Sequence, residues 1–279
     1  MEQHFNTPSE VIDTNMKAGE GKAHLPLGKM ILLGIMAGAF IALGGATSST
    51  AAHAIDNVGL ARFVAGIIFP VGLMIIVFVG GELFTGNCLI VMDVVGKKVT
   101  WFECIRNLIV VYFSNLIGAL IIDTLIYFSG NLDYTGGLLG AYAIKVAVGK
   151  VGISPLKGIT SGILCNILVC IAILMAAAAT DIVGKIWAIF FPIMAFVVGG
   201  FEHCVANMYY IPAGIFASMN PDYVAKAKEL YGITGSQIAA LNWGNFFTVN
   251  LLPVTIGNII GGGFIIGGLF FYLHGKNCK

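Results

Sequence analysis

The sequence predicts an all-α membrane protein whose six transmembrane helices form two inverted three-helix repeats. Three observations predict it: a composition too apolar for water, six long apolar runs, and a glutamate–asparagine signature that occurs once in each half.

Of the 279 residues, 58% are hydrophobic and 10% charged, and the mean hydropathy is +0.91. A water-soluble domain carries about 25% charged residues, so lipid is the solvent this composition suits. The 37 glycines fit, because small residues let helix backbones approach closely in a bilayer. A net charge of +1 suggests no nucleic-acid partner. The cysteines, Cys88, Cys104, Cys165, Cys170, Cys204 and Cys278, show no CxxC spacing. They read as small buried hydrophobes, so neither a metal nor another cofactor is expected.

A spanning helix needs about 20 mostly apolar residues. Six stretches qualify: Met30 to Ala52, Phe63 to Val95, Leu108 to Phe128, Ile159 to Ala179, Ile186 to Met219 and Trp243 to Leu273. The first is not a signal peptide, because the segment before it is long and carries Glu2, Glu10, Asp13 and Glu20. That segment, residues 1–29, is expected to be a cytoplasmic surface helix. It opens on the capping box Thr7-Pro8-Ser9-Glu10 and carries a weak apolar stripe of Val11, Ile12 and Met16. Residues 30–279 are expected to form the six-helix transmembrane domain, with one repeat at about 30–128 and the other at about 158–273.

With six spans both termini share a side. That side holds Lys17, Lys22, Lys29, Lys97, Lys98, Arg106, Lys185, Lys276 and Lys279, against Arg62, Lys145, Lys150, Lys157, Lys226 and Lys228 opposite. The excess places the termini in the cytoplasm. Trp101, Trp187 and Trp243 fall near span ends, as interfacial anchors do.

The halves resemble each other. Phe69-Pro70 is followed by Glu82 and Asn87, and Phe191-Pro192 by Glu202 and Asn207, with five residues from acid to amide in both. Gly34 and Gly38 open the first span as Gly158 and Gly162 open the fourth, and Asn115-Leu116-Ile117-Gly118 echoes Asn258-Ile259-Ile260-Gly261. A three-span repeat must re-enter the membrane from the opposite side, and transport folds so built place their site at the repeat interface, on broken helices.

Gly80 to Asn87 and Gly199 to Asn207 are poor helix material inside spans, and both are expected to unwind. Glu82, Gly86, Asn87 and Asn207 would shape the breaks, with Glu82 and Glu202 accepting hydrogen bonds from freed backbone amides. His203 is the one histidine deep in a span, since His4, His24 and His274 are terminal and His53 lies at a span end. An intramembrane ionisable group marks a pathway, and a lone histidine argues against bis-histidine haem. No nucleophile and base pair stands out, so no enzyme is expected. Phe69, Leu73, Leu83, Phe84 and Phe196 would form apolar constrictions.

At these residues the chain resembles the formate/nitrite transporter family. The likeness rests on Glu82 to Asn87, Gly162 to Asn166, Phe201 to Met208 and Asn250 to Asn258, and covers both halves. It implies an aquaporin-like fold, a homopentamer with a pore in each protomer, and a place in the cell's inner (cytoplasmic) membrane. It implies His203 between two slits, a cytoplasmic one at Phe69 and Leu73 and a periplasmic one at Leu83, Phe84 and Phe196. Thr85 would sit on a mobile loop, Asn166 and Asn250 would line the chamber, and Lys150 would concentrate the anion outside. The implied substrate is a small monovalent anion moving with a proton: formate first, with nitrite and hydrosulfide as alternatives and a neutral-solute channel as the rival class.

Overall fold

The computed structural model describes residues 5–275; Glu2, His4, Lys276, Cys278 and Lys279 lie outside the described residues. Helix α1 (Pro8–Ala23) starts at Thr7 with a complete capping box to Glu10. It buries Val11, Ile12 and Met16 against Leu89, Cys170, Leu174 and Phe271.

Six helices are long and apolar enough to cross a membrane: α2 (Leu27–Ala52), α3 (Val58–Val79), α5 (Trp101–Phe128), α7 (Pro155–Ala178), α8 (Ile182–Gly199) and α12 (Trp243–His274). Two shorter apolar helices, α4 (Phe84–Val95) and α9 (Cys204–Ala217), continue α3 and α8 after a break. Helix α6 (Tyr134–Val151) joins the halves, and α10 (Pro221–Tyr231) and α11 (Gly235–Ala240) make up the polar insertion before α12. Tyr223 of α10 donates a hydrogen bond to Asp133, tying that insertion to the linker ahead of α6. Much of α12 is wound as π-helix, over Phe246–Leu251 and Ile259–Gly268.

The breaks are shorter than the sequence suggests. Backbone leaves the helix only from Gly80 to Leu83 and from Gly200 to His203, so Gly86, Asn87 and Asn207 lie inside the half-helices that follow. Gly80 and Gly200 take φ of 102° and 70°, a region that glycine enters without a Cβ clash. Gly86 serves packing instead: a Cβ there would come within 2.7 Å of Ile173.

Where each break ends, an asparagine and not a glutamate side chain meets the freed backbone groups, while the Glu82 and Glu202 amides donate to the Leu33 carbonyl and the Ser161 hydroxyl. Asn115 of α5 accepts from the Phe84 amide at 2.9 Å and donates to the carbonyls of Glu82 at 2.9 Å and Gly34 at 2.8 Å. Asn258 of α12 accepts from the Cys204 amide at 2.9 Å and donates to the carbonyls of Glu202 at 3.0 Å and Gly162 at 2.8 Å. A break exposes both N–H and C=O groups. A carboxylate only accepts, whereas a side-chain amide does both, which is why the expected glutamate role passes to these residues.

The same bonds correct the repeat register. Gly34 pairs with Gly162, not Gly158, at a spacing of 128 residues (162 − 34). A Cβ at Gly118 would stand 1.9 Å from the Ile35 carbonyl oxygen, and one at Gly261 would stand 2.3 Å from that of Ile163. Ile35 and Ile163 are also 128 apart (163 − 35). Each half thus packs its first and third spans backbone to backbone through a glycine.

Gly118→Leu is expected to abolish monodisperse, detergent-solubilised protein in size-exclusion chromatography. Gly28→Leu, where a Cβ meets nothing within 4 Å, serves as the tolerated control. Asn258→Leu leaves two buried backbone groups unpaired, the Cys204 amide and the Glu202 carbonyl, at about 1–3 kcal/mol each. Its unfolding free energy in a denaturant titration should fall by at least about 2 kcal/mol, and an unchanged midpoint would contradict the clamp.

Candidate functional site

A cavity of about 500 Å³ opens on the side opposite α1 and narrows to the second break. Its wall includes Arg62, Tyr142, Lys145, Lys150 and Tyr210, and at its inner end stand Phe69, Phe196 and His203.

His203 is the N-cap of α9, and its Nδ1 accepts from the Ala206 amide at 3.1 Å. An atom that accepts an N–H carries no proton of its own, so the neutral ring holds its hydrogen on Nε2. Nε2 lies 3.0 Å from the Thr85 hydroxyl, in the first turn of α4. The two half-helices therefore bring their N-terminal turns together at this contact, and both are the positive ends of helix dipoles. His203 is 2% exposed and Thr85 0%, and of the two it is His203 that borders the cavity, at its floor.

Phe69 and Phe196 close that floor. Their rings meet edge to face at 5.5 Å, and Phe196 also stacks on His203 at 5.8 Å. The expected grouping of Phe69 with Leu73, and of Phe196 with Leu83 and Phe84, is thus not the one the structure assembles: Phe69 and Phe196 share the cavity side. Leu73, Leu83 and Phe84 are buried outside the cavity lining, with Phe84 edge-on to Tyr112 at 4.9 Å. Phe69 precedes the first break by three helical turns while Leu83 and Phe84 follow it, so chain position did not give the spatial pairing.

Lys150 donates to Glu202 at 3.0 Å. Asn207 donates to Glu202 at 2.6 Å and to Asn250 at 2.7 Å, and Asn250 donates to the Lys150 carbonyl at 2.9 Å, closing a ring of four residues. Asn166 donates to the backbone carbonyls of Thr85 at 3.2 Å and Asn258 at 2.7 Å. Asn166 and Asn250 are fully buried; they fix the site's framework and are absent from the cavity wall where they were expected.

The other half repeats this ring, which the sequence reading missed. Lys22 of α1 donates to Asn87 at 2.8 Å and lies 3.6 Å from Glu82. Asn87 donates to Glu82 at 2.6 Å and to Asn107 at 2.8 Å, and Asn107 donates to the Lys22 carbonyl at 3.0 Å. Lys22 and Lys150 stand 128 apart (150 − 22), the spacing of Gly34 and Gly162, so that offset was the available signal. Among the described residues no group of three or more His, Cys, Asp or Glu is placed to hold a metal.

Comparison with known proteins agrees with this architecture. The formate/nitrite transporter family model matches residues 9–272. A probable formate transporter from Methanothermobacter thermautotrophicus is 36% identical over 99% of this chain and 100% of its own. The formate channel FocA of Haemophilus influenzae is 36% identical over 96% of this chain and 94% of its own. A pentameric formate channel solved with formate bound superposes with a TM-score of 0.81 at 34% identity, covering 90% of this chain and 98% of that one. Not an enzyme but a multi-pass membrane transport protein, the chain belongs to the formate/nitrite transporter family.

Proposed function

We propose that the protein conducts formate across the cytoplasmic membrane as the neutral acid, each protomer of a homopentamer holding its own pore. The observation that carries this is the cavity floor: an apolar Phe69–Phe196 pair in front of a histidine whose Nδ1 is engaged by a backbone N–H. A bare anion meeting those rings loses water without gaining a counter-charge, at a cost far above that of a neutral acid.

His203 is a poor proton source in this arrangement. Its one hydrogen, on Nε2, would leave an imidazolate if given up. The proton therefore comes from vestibule water, taken up as the anion gives up hydration near Lys150. Nε2–H of His203 and the Thr85 hydroxyl then hold the acid's oxygens by hydrogen bonds at the meeting point of the two half-helices. The acid loses its proton once past Leu73, Leu83 and Phe84, on the side of α1. Lys150 acts here at short range, because Glu202 offsets its charge.

The excess of lysine and arginine on the α1 side supports cytoplasmic termini, with the vestibule then facing outward. The pentamer and the choice of formate follow the relatives.

Purified protein in liposomes should take up formate faster at lower pH, with nitrite and hydrosulfide run beside it to rank the substrates. His203→Ala should slow uptake by about tenfold, the loss of one hydrogen bond of roughly 1.4 kcal/mol. Passage of glycerol or water while all three anions stay outside would overturn the reading.

A further inference from the structure

We infer that Arg62 and Lys145 form an outer anion site at the vestibule wall, which binds a monovalent carboxylate or oxyanion before it reaches Lys150. The inference rests on the anion-channel reading above and assigns the recruiting charge to residues that reading leaves unused.

The charges lining the cavity are Arg62, Lys145, Lys150 and Asp56. Lys150 is matched by Glu202 at 3.0 Å. Opposite charges at that separation present a dipole, whose field falls off faster than that of a single charge. Arg62 and Lys145 have no ion pair among the described residues. Counted with Asp56, they leave one net positive charge in the vestibule, which suits a monovalent anion. A cleft with low-dielectric walls concentrates such a field.

Both cations are held in place. The Arg62 guanidinium reaches the Val198 carbonyl at 3.4 Å and stands 3.1 Å from where a Cβ would lie on Gly200, so it lies over the break that ends at His203. The Lys145 ammonium sits 4.3 Å from the centroid of the Tyr231 ring and 5.8 Å from that of Tyr142. An aromatic face attracts the ammonium without neutralising it, so its N–H donors remain for an anion. Arg62 is also close enough to act electrostatically on the Tyr142 hydroxyl, and Asp56 on that of Tyr231. Both cations, the acid and the two tyrosines line the same cavity, with the Lys145 ammonium beside both rings.

The vestibule potential is read independently of transport from a cysteine at Ser49, which lines the cavity half-buried, in a Cys278→Ser background. The quantity is the ratio of its reaction rates with an anionic (sulfonatoethyl) and a cationic (trimethylammonioethyl) methanethiosulfonate. Arg62→Gln/Lys145→Gln should lower that ratio by about threefold or more, Asp56→Asn should raise it, and Lys150→Met/Glu202→Gln should leave it near the parent value. In liposomes the Arg62→Gln/Lys145→Gln protein should show a formate KM raised about threefold with kcat kept, and a flattened dependence on ionic strength. A ratio unchanged by the Arg62/Lys145 substitutions, or lowered only when the Lys150–Glu202 pair is replaced, would overturn the inference. Absence of formate uptake by the parent protein would instead overturn the function proposed above, while the reagent ratio still decides where the charge lies.

Discussion

The structure depends on two side-chain amides. Unwound backbone survives at membrane depth only if each freed N–H and C=O finds a partner inside the protein. Asn115 and Asn258 supply one acceptor and two donor bonds each, to the junction where a break ends and its half-helix begins and to the first helix of the same half. Without them the Glu82 and Glu202 carbonyls and the Phe84 and Cys204 amides, which open α4 and α9, would lose these partners in a low-dielectric interior. With them α4 and α9 begin at a fixed place, and the Thr85 hydroxyl and the His203 ring are set 3.0 Å apart.

The near-symmetry of the halves makes their differences informative. Both carry a ring of lysine, glutamate and two asparagines, but one lysine stands on α6, between the repeats, and the other on α1, ahead of the first span. Both breaks end at the start of a half-helix, but the second presents a ring nitrogen there where the first presents Leu83, and the cavity of Arg62, Lys145 and Lys150 leads to the second. The proposed pathway therefore has a charged approach on one face and buried leucines and Phe84 toward the other. A neutral acid crosses such a sequence more cheaply than an anion does.

The spans and the internal repeat were legible in the sequence because each rests on composition or on local spacing. Apolar length marks a span, and the glutamate–asparagine spacing survives any arrangement of helices. The limits of the breaks were not legible, since Gly86 and Asn87 are weak helix formers that packing on Ile173 and bonds to Glu82, Asn107 and Lys22 keep inside α4. The edge-to-face contact of Phe69 with Phe196 joins residues from different halves, so no single-segment pattern carries it. Lys22 was overlooked because it lies in a polar segment outside the spans, where a lysine reads as solvated surface. Its partners come from α4 and α5, and only the three-dimensional register brings them to it.

The central claim, passage as a neutral acid, is tested most directly by recording membrane current and formate flux together across liposomes or planar bilayers holding the protein. The account predicts sustained formate flux with no accompanying charge, and one proton appearing on the receiving side for each formate. A current equal to one elementary charge per formate would contradict it and make the permeating species the anion.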